Sequence, residues 1–308
     1  MIPHRPRFDL RFSRRGFLVG AAATGLLAAC GSDSDGAAGS DSVDTETSDD
    51  SAAGEATDET FAYTLVQRFP QNVQEPGPLR LPISLATADG RLIQDGPDTL
   101  DAQVTDSEGS PLGDPISAVR RDVAPGPYYD FRTELDTAGL YYLVIPGGPP
   151  EGAPFQVMEA GSVPVAGAGD ALEPFDTPTF DDARGVDPVC TREPEPCPFH
   201  DVTLTDALAS GKGVVYLIGT PAFCQTGTCA PALESIIDLQ PEYADRFEFV
   251  HAEVYADDTA TVIAPAVEAA NLSYEPVLFI TDASGTVVER LDAVWDETEL
   301  AEVLDRAS

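Results

Sequence analysis

Between Asp201 and Ser308 the chain alternates short continuous apolar runs with segments of helical period, and that alternation confines it to a sheet covered by helices. "DVTLTDALAS" opens with a capped short helix, and "GVVYLIG" is a strand with no polar interruption beyond its tyrosine, as a buried strand requires. A helix is predicted from about Pro231 to Leu239, a strand in "FEFVHAEVY", and a further helix in "TVIAPAVEAANL" in spite of Pro265. "PVLFI" and "TVVERL" flank the turn "TDASG" as a hairpin. "DETELAEVLDR" closes the chain as a helix, with Asp296 as N-cap and Glu299 reaching back to complete a capping box. A mixed central sheet follows, in a stretch long enough to bury one core.

Cys224 and Cys229 lie in "GTPAFCQTGTCAPALESI", between the buried strand and the first long helix. Such a pair can be a redox couple, a metal clip or a structural disulfide. Exchange chemistry needs a stabilised thiolate. No Lys or Arg occurs between Gly213 and Arg246, so side-chain charge cannot supply that stabilisation. The free N–H groups and dipole of the helix starting near Pro231 can, and a proline is well tolerated at a first helical position. Gly227 and the two flanking threonines let the loop bend.

This order of elements resembles the thioredoxin fold: a cysteine pair after a buried strand and ahead of a helix, then Pro276 opening a later strand in "SYEPVLFI". The similarity covers the last third of the chain, 201–308. It implies an α/β thioredoxin-like fold and thiol–disulfide exchange with protein thiols or disulfides, without a cofactor. It also implies Cys224 and Cys229 as the catalytic pair and a cis Glu275–Pro276 peptide facing them, these two residues shaping the substrate groove. Four residues, Gln225 to Thr228, separate the cysteines where thioredoxins have two, and Phe223 stands where they have Trp. "GVVYLIG" lacks the acidic residue often buried behind the disulfide, and Glu253 on the next strand is a candidate substitute. Chain order makes Cys224 the attacking and Cys229 the resolving thiol; the closeness of Cys229 to the helix start leaves the reverse open. The Sco copper-chaperone group also sets two cysteines and a histidine on this fold, with three residues between the cysteines and the histidine far downstream. His251 comes too early for that role and no histidine follows it, so it is expected as a strand residue with a hydrogen-bonded ring, Trp295 as an aromatic near the last helix, and no metal at the pair.

Residues 166–200 form a Pro- and Asp-rich connector ending in "CTREPEPCPFH". Prolines around Cys190 and Cys197 exclude a helix there, and a disulfide between the two would pin the segment. Zinc on Cys190, Cys197 and His200 is the alternative. It lacks the short C-x2–4-C spacing of structural zinc sites and a visible fourth ligand.

From 60 to 165 the texture changes to short alternating runs such as "LRLPISLA", "YYDFRTEL" and "LYYLVI", separated by Gly, Pro and Asp turns. An antiparallel β-sandwich is expected. "LDTAGLYYLVI" is similar to the tyrosine corner of immunoglobulin-like sandwiches, with Tyr141 in place and Thr137 where the pattern usually has Asp. The span holds no histidine and no cysteine, and is expected as a spacer or binding module.

The first 29 residues join Arg14 and Arg15 in "SRRGFL" to an uncharged segment, Phe17 to Ala29, too short to span a bilayer comfortably and ending in "LAAC". They resemble a twin-arginine (Tat) export signal fused to a lipoprotein box. That implies lipidation of Cys30, an acyl anchor in the bilayer and an extracytoplasmic, membrane-tethered location. Residues 30–59 are acidic, without a basic or aromatic residue, and read as a disordered tether. With Cys30 set aside four cysteines remain, an even set in a compartment that favours disulfides. Charge narrows the partners further. Lys and Arg number 17 against 53 Asp and Glu, net −36, and five of the arginines fall in the signal, so nucleic acid and anionic lipid surfaces are excluded as ligands. A monomer is expected. The rival function is a binding or scaffold lipoprotein in which both cysteine pairs are structural.

Overall fold

The structure, a computed structural model, describes residues 62–307. The expected export signal (1–29), the tether (30–59) and the lipidation site Cys30 lie outside the described residues. No described helix is long and apolar enough to cross a membrane.

The strand pairs of the first half are all antiparallel. Its strands are β1 (Thr64–Gln67), β2 (Gly77–Ala86), β3 (Thr99–Thr105), β4 (Ile116–Arg121), β5 (Tyr128–Leu135), β6 (Gly139–Val144) and β7 (Ala153–Val157). They hydrogen-bond in the order β1-β2-β5-β4-β3-β6-β7. Strand β3 is the joint: its first half, Thr99 to Ala102, pairs with β4, and its second half, Gln103 to Thr105, pairs with β6. A strand that changes partner midway lets the ladder fold over on itself, and Leu81, Ile83, Phe131, Leu143 and Phe155 fill the interior. Tyr141 donates its hydroxyl to the Thr137 carbonyl at 2.8 Å, tying the entry of β6 to the preceding turn.

The second half carries α1 (Leu204–Ala209), β8 (Gly213–Ile218), α2 (Cys229–Tyr243), β9 (Phe247–Ala252), α3 (Pro265–Ala269), β10 (Val277–Thr281), β11 (Val287–Asp292) and α4 (Glu297–Arg306). The sheet order is β11-β10-β8-β9, with β8 and β9 parallel and the other two pairs antiparallel. That is the mixed sheet expected from the alternation. Two helices, α2 and α4, pack over one apolar core containing Leu233, Ile236, Leu278, Leu300 and Trp295. Trp295 is buried and donates its indole N–H to Ser235 Oγ at 3.2 Å.

Three local expectations change. Helix α2 begins at Cys229, two residues before Pro231, and runs to Tyr243. The first N–H groups of a helix have no intrahelical acceptor, so a proline in the first turn removes nothing. Helix α3 is confined to Pro265–Ala269, with Pro265 at its start, and Thr261 to Ile263 stay outside it. At α4, Asp296 accepts from the Glu299 N–H at 2.7 Å as predicted, yet the Asp296 N–H donates to the Tyr128 hydroxyl instead of to Glu299. Glu299 is drawn away by Arg80, Arg132 and Tyr128 of the first half.

The segment 166–200 has no helix or strand, but it is not a free connector. His251 on β9 donates its backbone N–H to the Phe199 carbonyl at 3.0 Å, and the Asp187 N–H donates to Ala256 at 3.0 Å. The strap thus covers the outer edge of β9, an edge that would otherwise expose unpaired backbone groups. Cys190, Cys197 and Phe199 enter the second core from it.

Candidate redox site

Strand β8 ends at Ile218 and the chain turns through Gly219 to Thr228 before α2 begins. Gly227 closes this turn at φ 69°, in the left-handed region that glycine adopts without strain, and donates its N–H to the Cys224 carbonyl at 3.2 Å. The turn brings the sulfurs of Cys224 and Cys229 to 2.6 Å. Both are free thiols, as are Cys190 and Cys197. Cys224 is half-buried, whereas Cys229 is fully buried.

The electrostatics divide the two thiols. Cys224 accepts a hydrogen bond from the Cys229 thiol, lies 3.2 Å from Thr226 Oγ1, and receives the Cys229 backbone N–H at 3.4 Å. That N–H is one of the unpartnered donors at the start of α2. The thiol hydrogen bond above all, then Thr226 and the backbone donors, draw the Cys224 pKa down to about 4 against the pull of burial. Cys229 is pushed up, first by the hydrogen bond it gives Cys224, then by burial and by the charge of Glu275. The helix start therefore stabilises Cys224, although Cys229 is the residue that opens the helix.

Glu275 is the carboxylate that stands beside the pair. Its Oε2 lies 3.5 Å from Cys229 Sγ and accepts the Thr220 N–H at 3.1 Å. Burial, and then the Cys224 charge, raise its pKa to about 7. Glu253, the substitute considered from sequence, does not take this place. It is buried under the strap and accepts the Thr191 N–H at 2.6 Å and the Thr191 hydroxyl at 2.9 Å. No periodicity distinguishes Glu275 from the other carboxylates; its one sequence signal is that it precedes Pro276.

The Glu275–Pro276 peptide is cis, as the thioredoxin resemblance implied. Pro276 faces the pair across Gly219: a Cβ placed on Gly219 would stand 3.3 Å from Pro276 Cβ and 3.7 Å from Cys229 Cβ. Around the opening, Phe223 packs edge-on to Tyr255 at 6.1 Å. The β4–β5 turn of the first half also reaches the site, its Pro125 Cγ lying 4.0 Å from where a Gly227 Cβ would be.

Cys190 and Cys197 lie apart from this pair, on the strap, beside His200 and His251. The four ligand atoms are within 4.8 Å of one another and all four residues are buried. His251 is thus a strand residue with a bonded ring, as expected, but the sequence did not link it to the strap.

No family model matches the chain, and no curated protein matches it. Two solved structures from Chlorobium tepidum are similar to part of it. One is described as a thiol:disulfide interchange protein DsbE, at 17% identity over 46% of this chain and 98% of that one, with a TM-score of 0.34. The other is a thioredoxin-family thiol:disulfide interchange protein from strain TLS, at 14% identity over 45% of this chain and 99% of that one, with a TM-score of 0.27.

Proposed function

We propose that this chain performs thiol–disulfide exchange with protein partners through Cys224 and Cys229. The observation that carries this is the asymmetry of the pair: a half-exposed Cys224 held as thiolate by the Cys229 thiol first and then by Thr226 and helix-start donors, above a buried Cys229 in contact with a carboxylate. The Cys224 thiolate attacks a partner disulfide, forming a mixed disulfide and releasing one partner sulfur as thiolate. Glu275 takes the Cys229 proton, and the Cys229 thiolate attacks Cys224 Sγ. A Cys224–Cys229 disulfide forms and the second partner sulfur leaves, taking up a proton. The partner gains two electrons and the pair loses two; the reverse sequence oxidises a partner dithiol. No cofactor is required.

Pro276, Glu275 and Phe223 would form the walls against which a partner segment lies, with Pro125 closing one side. The first half reads as an immunoglobulin-like sandwich. Labelled A to G in chain order, its ladder runs A-B-E-D-C-F-G, the order of such sandwiches, and Tyr141 makes the tyrosine-corner bond. Its role here is to frame the site, while an acyl chain on Cys30 and the acidic tether hold the protein at the outer face of a membrane.

The test is capture. Cys229→Ser, with the attacking thiol kept, should accumulate mixed disulfides with partner proteins that mass spectrometry locates on Cys224. If neither single-cysteine variant yields an adduct, and the pair's potential lies far below about −300 mV, the pair is an inert staple.

A further inference from the structure

We infer that Cys190, Cys197, His200 and His251 form a second, structural site that binds one zinc ion. Sequence spacing offers three of these ligands; the strap supplies them, and β9 brings His251 as the fourth. His200 Nε2 lies 3.1 Å from His251 Nδ1, and that nitrogen lies 3.3 Å from Cys197 Sγ and 3.8 Å from Cys190 Sγ. A tetrahedral zinc with Zn–S of about 2.3 Å and Zn–N of about 2.0 Å separates its ligands by about 3.3 Å for N to N and about 3.5 Å for S to N. The three distances from His251 Nδ1 therefore already stand near ligand spacing, and all four atoms lie within 4.8 Å of one another.

The chemistry agrees with the geometry. Zinc entering the site displaces both thiol protons to solvent, and two thiolates with two neutral imidazoles cancel the charge of the dication. A neutral centre can be buried, and Cys197, His200 and His251 are each 0% exposed. The surroundings orient the ligands. His251 Nε2 lies 3.0 Å from the Gly219 carbonyl, which places the proton there and leaves the Nδ1 lone pair for the metal. The Cys197 backbone N–H donates to Cys190 Sγ at 3.3 Å, as a thiolate ligand favours. A disulfide between Cys190 and Cys197 is the competing use of the same sulfurs, with the His200 Nε2–H then donating to His251 Nδ1.

Four protein ligands and no open position make the site a clamp, not a reaction centre. It fastens the strap to the edge of β9 and, through His251 and Gly219, braces the turn that carries Cys224. It is independent of whether that pair exchanges.

The full chain, reduced and dialysed against zinc with excess magnesium to occupy the acidic surface, should retain one zinc per chain. X-ray absorption should then find two sulfur and two nitrogen neighbours. Cys224→Ser/Cys229→Ser should keep the ion, whereas Cys197→Ser and His251→Ala should weaken binding beyond the about 10–100-fold that outer-shell partners carry. If those variants do not fold, cobalt(II) on the unaltered chain should give thiolate-to-cobalt absorption and intense tetrahedral bands. An oxygen-only coordination shell, an ion that follows Cys224 and Cys229, or a Cys190–Cys197 disulfide in the chain isolated without reductant overturns the inference.

Discussion

The Glu275 carboxylate lies 3.5 Å from the Cys229 sulfur, with its other contact the Thr220 N–H, at the floor of the Cys224–Cys229 turn. In the proposed exchange a base in that position would control the step that a buried thiol cannot begin unaided. Burial still raises the Glu275 pKa in the mixed disulfide, where the Cys224 charge is gone, so release should accelerate as pH rises through a value between the ordinary carboxylate range and about 7 and level off above it. Glu275→Gln should remove that inflection and slow release by about 100-fold, at the low end of general-base effects. Quenched-flow decay of a Cys224 mixed disulfide across pH 5–9 measures both. The raised value also means the folded chain binds this proton more tightly than the unfolded one does. Stability therefore falls as pH climbs from the ordinary carboxylate range to about 7, and Glu275→Gln should gain stability relative to the unaltered chain at pH 8 but not at pH 4.

Cys224 should be the reactive thiol at neutral pH and below. Its alkylation by iodoacetamide should titrate near the lowered value of about 4. Removing the Cys229 thiol takes away the largest stabilising hydrogen bond, so in Cys229→Ala the inflection should move up by one or more units toward the ordinary thiol value of about 8.5. An unmoved inflection would mean that the helix start alone holds the thiolate.

The two halves are joined by a buried ionic network centred on Arg80 of β2 and Glu299 of α4, 2.6 Å apart. The same guanidinium donates to the Asp292 and Val294 carbonyls at 3.2 and 2.5 Å, and Arg132 and Tyr128 also bind Glu299. Removing one partner leaves an uncompensated buried charge, so Arg80→Met should cost about 3–5 kcal/mol in denaturant unfolding at pH 7. Burial works to raise the Glu299 pKa, but Arg80 overrides it and holds the carboxyl at about 2. Its contribution is thus complete above the unfolded carboxylate range and lost as pH falls toward 2. Glu299→Gln should flatten that part of the acid unfolding curve.

Gly219 lies between Pro276 and Cys229, and an added Cβ would meet the proline ring carbon at 3.3 Å. A ring fixed in the backbone cannot swing aside as a flexible side chain would. Gly219→Ala should cost about 1–3 kcal/mol, the range for small-to-large changes in packed interiors, and slow mixed-disulfide formation by shifting Pro276. Thermal unfolding and single-turnover rates read the two effects separately.

What the sequence determined by itself was whatever depends on near neighbours in the chain. The strand runs, the Asp296 cap, the capped helix of "DVTLTDALAS", the turn at Gly227 and the cysteine pair ahead of a helix all follow from residue types a few positions apart, where backbone sterics and local hydrogen bonds decide. Helix α2 starts two residues ahead of the predicted Pro231 because a proline in the first turn lacks only a donor the helix does not use. Tertiary structure alone decided which carboxylates and imidazoles matter. Glu275 meets a cysteine 46 residues away, His251 meets a strap 51 residues before it, and Glu299 leaves its own capping box for an arginine 219 residues distant. Those partnerships arise because burial withdraws water from a charged or polar group and leaves it to whichever counterpart the fold brings within reach, a selection that no local pattern of residues records.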